Sequence, residues 1–279
     1  FSLVSLPDFD PNKRKDISDL NFINRATKGV YEFGSVFKTL TLASAFNEKI
    51  LEPENEFNDL PQSLTCAGFT IREYDKEIPT DLTVEQILVR SSNVGTVVLA
   101  KKIGEENYKD FINQTKLTKN PVIELQEVGI PHKLKWDKCK LETISFGHGI
   151  TTTPLQAAAA YATLVNGGKL VLPTLEKNKN NDLNTRRVIS EKTSIKLKKI
   201  LRKVVTDKKG TASLADIYGY NVSGKTGTSQ YYDDENKNIN TFISFFDASN
   251  KNYILLVMLD NPQIAENLIY DYRGYKIKG

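Results

Sequence analysis

The sequence has few of the residues that bind metal ions or carry redox chemistry. Its 279 residues include two cysteines and two histidines. Cys66 and Cys139 show neither the C-x-x-C nor the Cys/His spacing of a metal or redox site, so they allow one disulfide without requiring it. His132 and His148 form no metal-ligand pattern either. We therefore predict neither a bound metal nor a cofactor.

The chain also lacks a strong charge of either sign and a long apolar run. Its net charge is +4 at pH 7 and comes from scattered lysines, so the sequence predicts no nucleic-acid partner. No segment reaches the roughly 18 apolar residues of a membrane span, and no signal peptide is visible. The chain begins at Phe1 inside the apolar stretch FSLVSL, which favours a fragment whose targeting segment lies outside it.

The composition is that of a globular chain, with 39% hydrophobic and 26% charged residues. The two ends read as β-structure. A strand is predicted at Phe1–Leu6, and a hairpin is predicted from Thr241–Ala248 and Tyr253–Asp260 around the polar link SNKN. Caps and apolar periodicity predict helices at Thr83–Val89, at Val94–Ile103, at Glu105–Leu117, from Pro154 to the exit at Gly167, and at Ser190–Thr206.

Strands at both ends around a helical middle predict one sheet built from distant segments, with a helical lobe inserted. We expect a single domain over residues 1–279, with a sheet lobe at about 1–34 and 186–279 and a helical lobe at about 35–185. A cleft between two such lobes is where a site usually lies. The polar run Lys177–Thr185 reads as an exposed loop.

The stretch YEFGSVFKTL, residues 31–40, puts a lysine into what reads as a buried helix. Lys38 has apolar neighbours almost all round, and burying an ammonium is costly. A long lysine can also thread its stem past such neighbours and keep its charge in water. The Ser-x-x-Lys spacing of Ser35 and Lys38 is weak by itself, so other motifs have to supply the context.

Two further motifs supply it. Ser91-Ser92-Asn93 lies between two predicted helices, where a polar tripeptide can point into a cleft or merely cap the second helix. The stretch GKTGTS, residues 224–229, can be read as a Gly-rich turn before a strand. Lys-Thr-Gly is nevertheless rare enough at this composition to carry more weight than the other two motifs.

The first two motifs together form a set for nucleophilic catalysis. Ser35 at a helix N-terminus lies beside free backbone N–H groups, and the i,i+3 spacing puts Lys38 on the same face. A desolvated lysine near positive charge is partly neutral at pH 7, so Lys38 can take the Ser35 proton. We expect Asn93 to hold Lys38 and a substrate amide, and Ser91 to relay the proton to the leaving amine.

The third motif is predicted to bind the substrate. Lys225 and the hydroxyls of Thr226 and Thr228 would face an anionic carboxylate. Gly227 would leave room for a substrate backbone beside the strand. The backbone N–H groups of Ser35 and Thr228 are the expected oxyanion hole.

In this order, Ser35-x-x-Lys38, Ser91-x-Asn93 and Lys225-Thr-Gly resemble the motifs of the penicillin-recognising serine acyltransferases, the penicillin-binding proteins and serine β-lactamases. The stretches SSNVGTVVLAKKIG, ISFGHGITTTPLQAAAAYATLVNGG and VSGKTGTSQ are similar to division-type class B penicillin-binding proteins, and the resemblance covers residues 1–260. It implies an α/β (α+β) fold with a central antiparallel sheet packed by helices. It also implies D,D-transpeptidase activity on peptidoglycan stem peptides ending in D-Ala-D-Ala, with β-lactams as inhibitors.

The resemblance carries expectations about the rest of the protein. Family members are anchored at the outer face of the bacterial inner membrane and act in the periplasm on the septal wall, with a membrane glycosyltransferase and division proteins as partners. The family's anchor and pedestal region are absent from this sequence, which fits a fragment. The family usually closes the domain with a helix packed on the sheet, whereas this chain ends at YKIKG, so we expect an uncovered sheet face.

Other activities of the same motifs stay open. A class A β-lactamase uses a Glu in an E-x-x-L-N loop to activate the deacylating water. The nearest string between the second and third motifs is NNDLN at Asn180–Asn184, which lacks the Glu. A D,D-carboxypeptidase hands the same acyl-enzyme to water, which motifs alone do not exclude. Outside the enzymes, the alternative is a non-catalytic β-lactam sensor or scaffold, against which Ser35, Lys38 and Asn93 argue.

Overall fold

The architecture follows from a computed structural model of the chain. It describes residues 2–8, 10, 12–13, 22–177, 186–231, 234, 236–248, 251–263, 269–272 and 275–278. Two predicted features fall largely on other residues. Residues 178–185 of the predicted loop at Lys177–Thr185, and residues 249–250 of the SNKN link, lie outside the described ranges.

Helices fill most of the middle of the chain. They are α1 (Lys38–Asn47), α2 (Val84–Val89), α3 (Asn93–Ile103), α4 (Glu105–Thr115), α5 (Lys140–Ser145), α6 (Pro154–Val165) and α7 (Glu191–Thr206). In α2, α3, α6 and α7 the N-cap side chain accepts a hydrogen bond from the first turn; the caps are Thr83, Ser92, Thr153 and Ser190. These four predicted helices are confirmed.

The helix predicted at Glu105–Leu117 is confirmed but is shorter. It ends at Thr115 because Lys116 adopts the left-handed conformation, with φ 63°. Leu117 lies beyond the helix end and is still buried, at 1% exposed. The apolar pattern therefore extends past the true end of the helix.

The central sheet has three described antiparallel strands, in the order β5-β6-β7. They are β5 (Ser223–Gln230), β6 (Asn238–Ala248) and β7 (Lys251–Asp260). Lys225 of β5 pairs with Ile243 of β6, and β6 and β7 form the predicted hairpin, which is confirmed. Helix α7 packs against β5 and α6 against β7. On the opposite face, Leu255 and Val257 are 48% and 45% exposed.

Three short strand pairs lie outside the central sheet. They are β1 (Glu56–Phe57) with β4 (Leu82–Thr83), β2 (Ser63–Cys66) with β3 (Phe69–Arg72), and β8 (Ile269–Tyr272) with β9 (Tyr275–Lys278). A disulfide joins Cys66 at the end of β2 to Cys139 at the N-terminus of α5. The pairing that the sequence left open is therefore formed, and it attaches the β2–β3 hairpin to the helices.

The strand predicted at Phe1–Leu6 is wrong over residues 2–6, which form no strand. Val4 and Leu6 are 80% and 68% exposed, so the apolar run is not buried. Ser5 instead accepts a hydrogen bond on its side-chain oxygen from the Arg25 N–H, at 2.9 Å. Because a strand needs a neighbour to pair with, apolar character alone does not make one. All three described strands of the central sheet come from residues 223–260.

Helix α1 runs through the core of the molecule. Every residue from Lys38 to Phe46 is buried, and the helix packs against α2, α3, α4, α5 and α7. A helix that is buried on all sides loses the amphipathic pattern of a surface helix. No helix in the described part of the chain has the length and apolar character needed to cross a membrane.

Candidate active site

Ser35 lies in a 3-10 turn, Gly34–Phe37, that leads directly into α1. Gly34 has φ +52°, and a Cβ at this position would lie 2.2 Å from the Thr228 carbonyl oxygen. Only glycine therefore allows the turn to pack this closely on β5. The Ser35 side chain is half-buried, and its hydroxyl makes no hydrogen bond to another residue that the structure describes.

The Ser35 turn is held from behind by a buried tyrosine of α6. The Tyr161 hydroxyl donates to the Val36 carbonyl at 2.8 Å and lies 2.8 Å from the Thr39 hydroxyl oxygen. Burial raises the pKa of the Tyr161 phenol, so it remains a protonated donor. The first contact fixes the backbone of the turn at Val36, and the second joins α6 to the first turn of α1 through the Thr39 side chain.

Lys38 is fully buried and points its amine at the Ser91-Ser92-Asn93 motif. Its Nζ donates to the Ser91 carbonyl, to the Ser91 hydroxyl oxygen at 3.2 Å and to Asn93 Oδ1 at 2.6 Å. A buried amine needs such partners because an unsatisfied polar group in the core is costly. The structure thus joins the first two motifs, which lie more than 50 residues apart in the chain.

The Ser91-Ser92-Asn93 loop divides its roles among its three residues. Ser92 caps α3, and its hydroxyl accepts from the Gly95 N–H at 2.8 Å. Ser91 adopts φ +58°, which is uncommon for a residue other than glycine. Ser92 therefore caps the helix, and Ser91 and Asn93 are the two residues of this tripeptide that contact Lys38.

Lys225 approaches the same hydroxyl from the sheet. Its Nζ donates to the Ser91 hydroxyl oxygen at 2.9 Å, to the Thr226 carbonyl at 3.1 Å and to the Thr211 hydroxyl oxygen at 3.4 Å. Thr211 lies in the segment before β5, and its hydroxyl oxygen is 2.9 Å from that of Thr226. All three sequence motifs consequently meet at Ser91, with Thr211 as an additional member.

The remaining residues of the third motif line up along β5. Thr228 is exposed, and its hydroxyl donates to Asn240 Oδ1 at 3.1 Å. A Cβ on Gly227 would lie 2.2 Å from the Phe33 carbonyl oxygen. This glycine is therefore required for packing β5 against the Ser35 turn, and its contact with a substrate backbone stays a prediction.

Burial lowers the pKa values of both lysines, and Lys225 also acts on Lys38. Burial lowers the pKa of Lys38 well below its ordinary value, the Lys225 charge lowers it further, and the Glu73 carboxylate acts in the opposite direction. Burial also lowers the pKa of Lys225 to about 7. Amines with lowered pKa values can act as bases near neutral pH. Ser91, which contacts both, can pass a proton between them.

Sequence reasoning did not find three of the residues that support this site. Glu73 contacts the Ser92-Asn93 segment, but in REYDKE it looks like part of an exposed charge run. Thr211 lies in a polar turn, and Tyr161 is one aromatic residue within an alanine-rich helix. None carries a spacing signal, because each contact joins distant parts of the chain. Among the described residues, no cluster of three or more His, Cys, Asp or Glu could hold a metal ion.

Comparison with known proteins places this geometry in a family. A family model described as the penicillin binding protein transpeptidase domain matches residues 1–278. The chain is 33% identical over 274 residues to the probable peptidoglycan D,D-transpeptidase FtsI of Caulobacter vibrioides, covering 94% of this chain and 46% of that protein. It is 31% identical over 282 residues to stage V sporulation protein D of Bacillus subtilis, covering 94% and 43%. The chain spans less than half the length of these relatives.

Solved structures agree with the sequence comparison. The transpeptidase domain of penicillin-binding protein 3 from Burkholderia pseudomallei matches with a TM-score of 0.78 and 25% identity, over 86% of this chain and 74% of that one. Penicillin-binding protein 3 from Mycobacterium tuberculosis, complexed with aztreonam, matches with a TM-score of 0.76 and 25% identity, over 86% and 58%. The fold expected from the sequence is confirmed, and the chain belongs to the family of penicillin binding protein transpeptidase domains.

Proposed function

We propose that this chain is the catalytic domain of a peptidoglycan D,D-transpeptidase that works through an acyl-enzyme on Ser35. The observation that carries the proposal is the environment of Lys38. A buried amine with a lowered pKa lies one turn after Ser35 and contacts both Ser91 and Asn93. The activity agrees with the names of the relatives from Caulobacter vibrioides and Neisseria flavescens, both probable peptidoglycan D,D-transpeptidases.

Acylation begins with neutral Lys38 taking the proton of the Ser35 hydroxyl, which comes within reach of Nζ in the substrate complex. The Ser35 oxygen attacks the carbonyl carbon of the penultimate D-Ala. The resulting oxyanion is bound by the backbone N–H groups of Ser35 and Thr228. The C–N bond then breaks, and the Lys38 ammonium returns a proton to the leaving D-Ala amine through the Ser91 hydroxyl.

Transfer to the second stem peptide runs in reverse. The acceptor amine attacks the ester carbonyl and gives its proton to Lys38. The Ser35 oxygen leaves and takes the proton back, so the enzyme returns to its starting state with one new amide bond formed. Asn93 holds Lys38 in place through both steps and contacts the substrate amide.

The substrate is proposed to lie in the cleft between the sheet lobe, about 1–34 and 186–279, and the helical lobe, about 35–185. Lys225, Thr226 and Thr228 would bind the terminal carboxylate, because an ammonium and two hydroxyls are suitable donors for it. A penicillin carries a carboxylate and a reactive amide in a similar arrangement, and it would acylate Ser35 in the same way. The Mycobacterium tuberculosis neighbour binds a β-lactam, since its structure is complexed with aztreonam.

We further propose that the domain acts outside the cytoplasm, in septal wall synthesis. The Cys66–Cys139 disulfide supports an oxidising compartment, since disulfides are rare in the cytosol. A membrane anchor, a glycosyltransferase partner and division proteins would act through parts of the protein outside this sequence.

The test is labelling of the full chain with a fluorescent penicillin, followed by intact mass and peptide mapping. We expect one adduct on the peptide that contains Ser35, and none in Ser35→Ala. Ser44→Ala is the matched control, because Ser44 is on α1 and its buried hydroxyl has no partner among the described residues. An adduct that persists in Ser35→Ala would contradict the assignment.

A second assay separates transfer to an amine from transfer to water. The chain has no E-x-x-L-N string between the second and third motifs, and this string carries the glutamate with which a class A β-lactamase activates its deacylating water. Deacylation should therefore lack the roughly 10²–10⁴-fold contribution of a general base, and the penicillin adduct should persist for minutes. A thioester donor with an amine acceptor should give an aminolysis product. Rapid release of hydrolysed penicillin over many turnovers would favour the β-lactamase, and hydrolysis of the donor without aminolysis would favour the carboxypeptidase.

A further inference from the structure

Glu73 lies just after β3 and uses both of its carboxylate oxygens on the second motif. Oε1 accepts from the Ser92 hydroxyl at 2.5 Å and from the Val94 N–H at 3.2 Å. Oε2 accepts from the Asn93 N–H at 2.7 Å. These are the first N–H groups of α3, where a negative charge is favourable and where each hydrogen bond to a charged acceptor is strong.

The same segment determines which way the Asn93 side chain faces. Asn93 Nδ2 donates to the Arg72 carbonyl at 2.8 Å. With its nitrogen bound there, the amide turns its oxygen towards Lys38, and Oδ1 accepts from Lys38 Nζ at 2.6 Å. Two neighbouring residues, Arg72 and Glu73, thus hold the backbone and the side chain of Asn93.

The β2–β3 hairpin that precedes Glu73 is small. An isolated two-stranded hairpin is only marginally stable in water. Here it is joined to the helices by the Cys66–Cys139 disulfide and by contacts between β3 and α3. The hairpin is therefore fixed well enough to support a catalytic loop.

We infer that Glu73 is a positioning residue for acylation: by binding the Ser92-Asn93 backbone it holds Asn93 against Lys38. This inference rests on the proposed function, because the positioned group is the proposed base. Glu73 belongs to none of the three sequence motifs and lies 20 residues before Asn93.

The charge of Glu73 gives the inference a measurable consequence. Two charged groups act on Lys38: Lys225 from β5 and Glu73 from the segment after β3. The other polar groups that contact Lys38 Nζ belong to Ser91 and Asn93 and are neutral. Glu73 favours the protonated form of Lys38, so its loss should lower the pKa of Lys38 and allow acylation at lower pH.

The experiment compares Glu73→Gln, Glu73→Asp and the control Glu77→Gln in the full chain. Glu77 belongs to the same segment, but its side chain is 75% exposed and pairs with Lys209. The second-order rate of acylation by fluorescent penicillin is measured as a function of pH, alongside the thermal unfolding midpoint. We expect Glu73→Gln to be slower by about tenfold or more, as for the loss of hydrogen bonds to a charged group. The acid limb of its pH profile, which is the range at low pH where the acylation rate rises with pH, should also move to lower pH.

Glu73→Asp keeps the charge and shortens the reach, so it should be slow with the acid limb at the wild-type pH. Glu77→Gln should match the wild type in its acylation rate and in the pH of its acid limb. A wild-type rate in Glu73→Gln, or equal slowing of both Glu73 variants with no movement of the limb, would overturn the inference.

The result is separable from failure of the proposed function. If the wild-type chain is not acylated at Ser35, the proposed function fails whatever the variants do. If Glu73→Gln does not fold, Glu73→Asp decides. A tenfold or larger loss of rate at an unchanged unfolding midpoint would support the positioning role, and an unchanged rate would overturn it.

Discussion

Lys38 and Lys225 direct their side-chain nitrogens at one oxygen, the hydroxyl of Ser91, from 3.2 and 2.9 Å. Both lysines are fully buried, and two ammonium groups this close repel each other in a medium of low dielectric. At neutral pH the two lysines should therefore carry less than two positive charges between them. This arrangement supplies an acid and a base on either side of a hydroxyl, which is what acyl transfer to and from an amine requires.

The first prediction concerns Lys38. Lys38→Arg keeps a positive charge but removes the neutral base, because a guanidinium stays protonated. Acylation by penicillin should fall by about 100-fold or more, the usual contribution of general-base catalysis. Lys101→Arg, an exposed lysine on α3 whose side chain is 51% accessible, is the control and should be unaffected. Acylation of Lys38→Arg at the wild-type rate would reduce Lys38 to a structural role.

The second prediction concerns the pH dependence of acylation. The neutral form of Lys38 is the active one, so the rate should rise with pH through the pKa of Lys38. Lys225 lowers that pKa by repulsion. Lys225→Met removes the charge, so the pKa of Lys38 should rise and the acid limb should move to higher pH. Rates measured across the pH range at saturating penicillin check this, and a limb that stays in place would show that the two lysines are not coupled.

The third prediction tests the close approach of the Ser35 turn to β5. Gly34→Ala would put a Cβ 2.2 Å from the Thr228 carbonyl oxygen, so the turn must move away. We expect a loss of about 2 kcal/mol or more in the free energy of unfolding, and slower acylation. Gly219→Ala is the matched control, since Gly219 also has positive φ, at +88°, but an added Cβ there meets nothing within 4 Å. Equal losses of stability and of acylation rate in the two variants would contradict the predicted steric clash at Gly34.

The fourth prediction concerns Tyr161, which holds the Ser35 turn from α6. Tyr161→Phe leaves the Val36 carbonyl without this buried donor, and unfolding should become easier by about 1–3 kcal/mol. Denaturant unfolding measures the loss. Tyr218→Phe removes a hydroxyl from a side chain that is 99% exposed, so its stability should not change. An unchanged free energy of unfolding in Tyr161→Phe would mean that another group replaces the hydrogen bond.

The fifth prediction concerns the Cys66–Cys139 disulfide. The bond closes a loop with a sequence separation of 73 residues, so replacing both cysteines by serine should lower stability by about 2–4 kcal/mol. Acylation should also slow, because the hairpin before Glu73 loses its attachment. A reductant should lower the unfolding midpoint of the wild type and leave the double variant unchanged. A wild type that is insensitive to reduction would show that the hairpin is held by packing alone.

The sequence by itself determined the local elements and the order of the three motifs along the chain. Ser190 and Thr153 cap their helices because the cap needs only a side-chain oxygen and the next turn. The hairpin from β6 and β7 follows from two neighbouring apolar runs. Ser35 and Lys38 could be predicted as a pair because an i,i+3 spacing puts two residues of a helix on one face. All of these depend on short separations along the chain.

Only the tertiary structure decided what the motif residues contact. Lys38 reaches Ser91 across 53 positions and Lys225 reaches it across 134, and no periodicity encodes such pairings. The same holds for Glu73, whose charge run in the sequence looks like an exposed loop until α3 is packed against it. The apolar residues 2–6 show the converse, because their pattern predicts a strand that pairs with no neighbour in the described part of the chain. Local pattern sets the elements, and burial against distant neighbours determines the partner, protonation and orientation of each functional group.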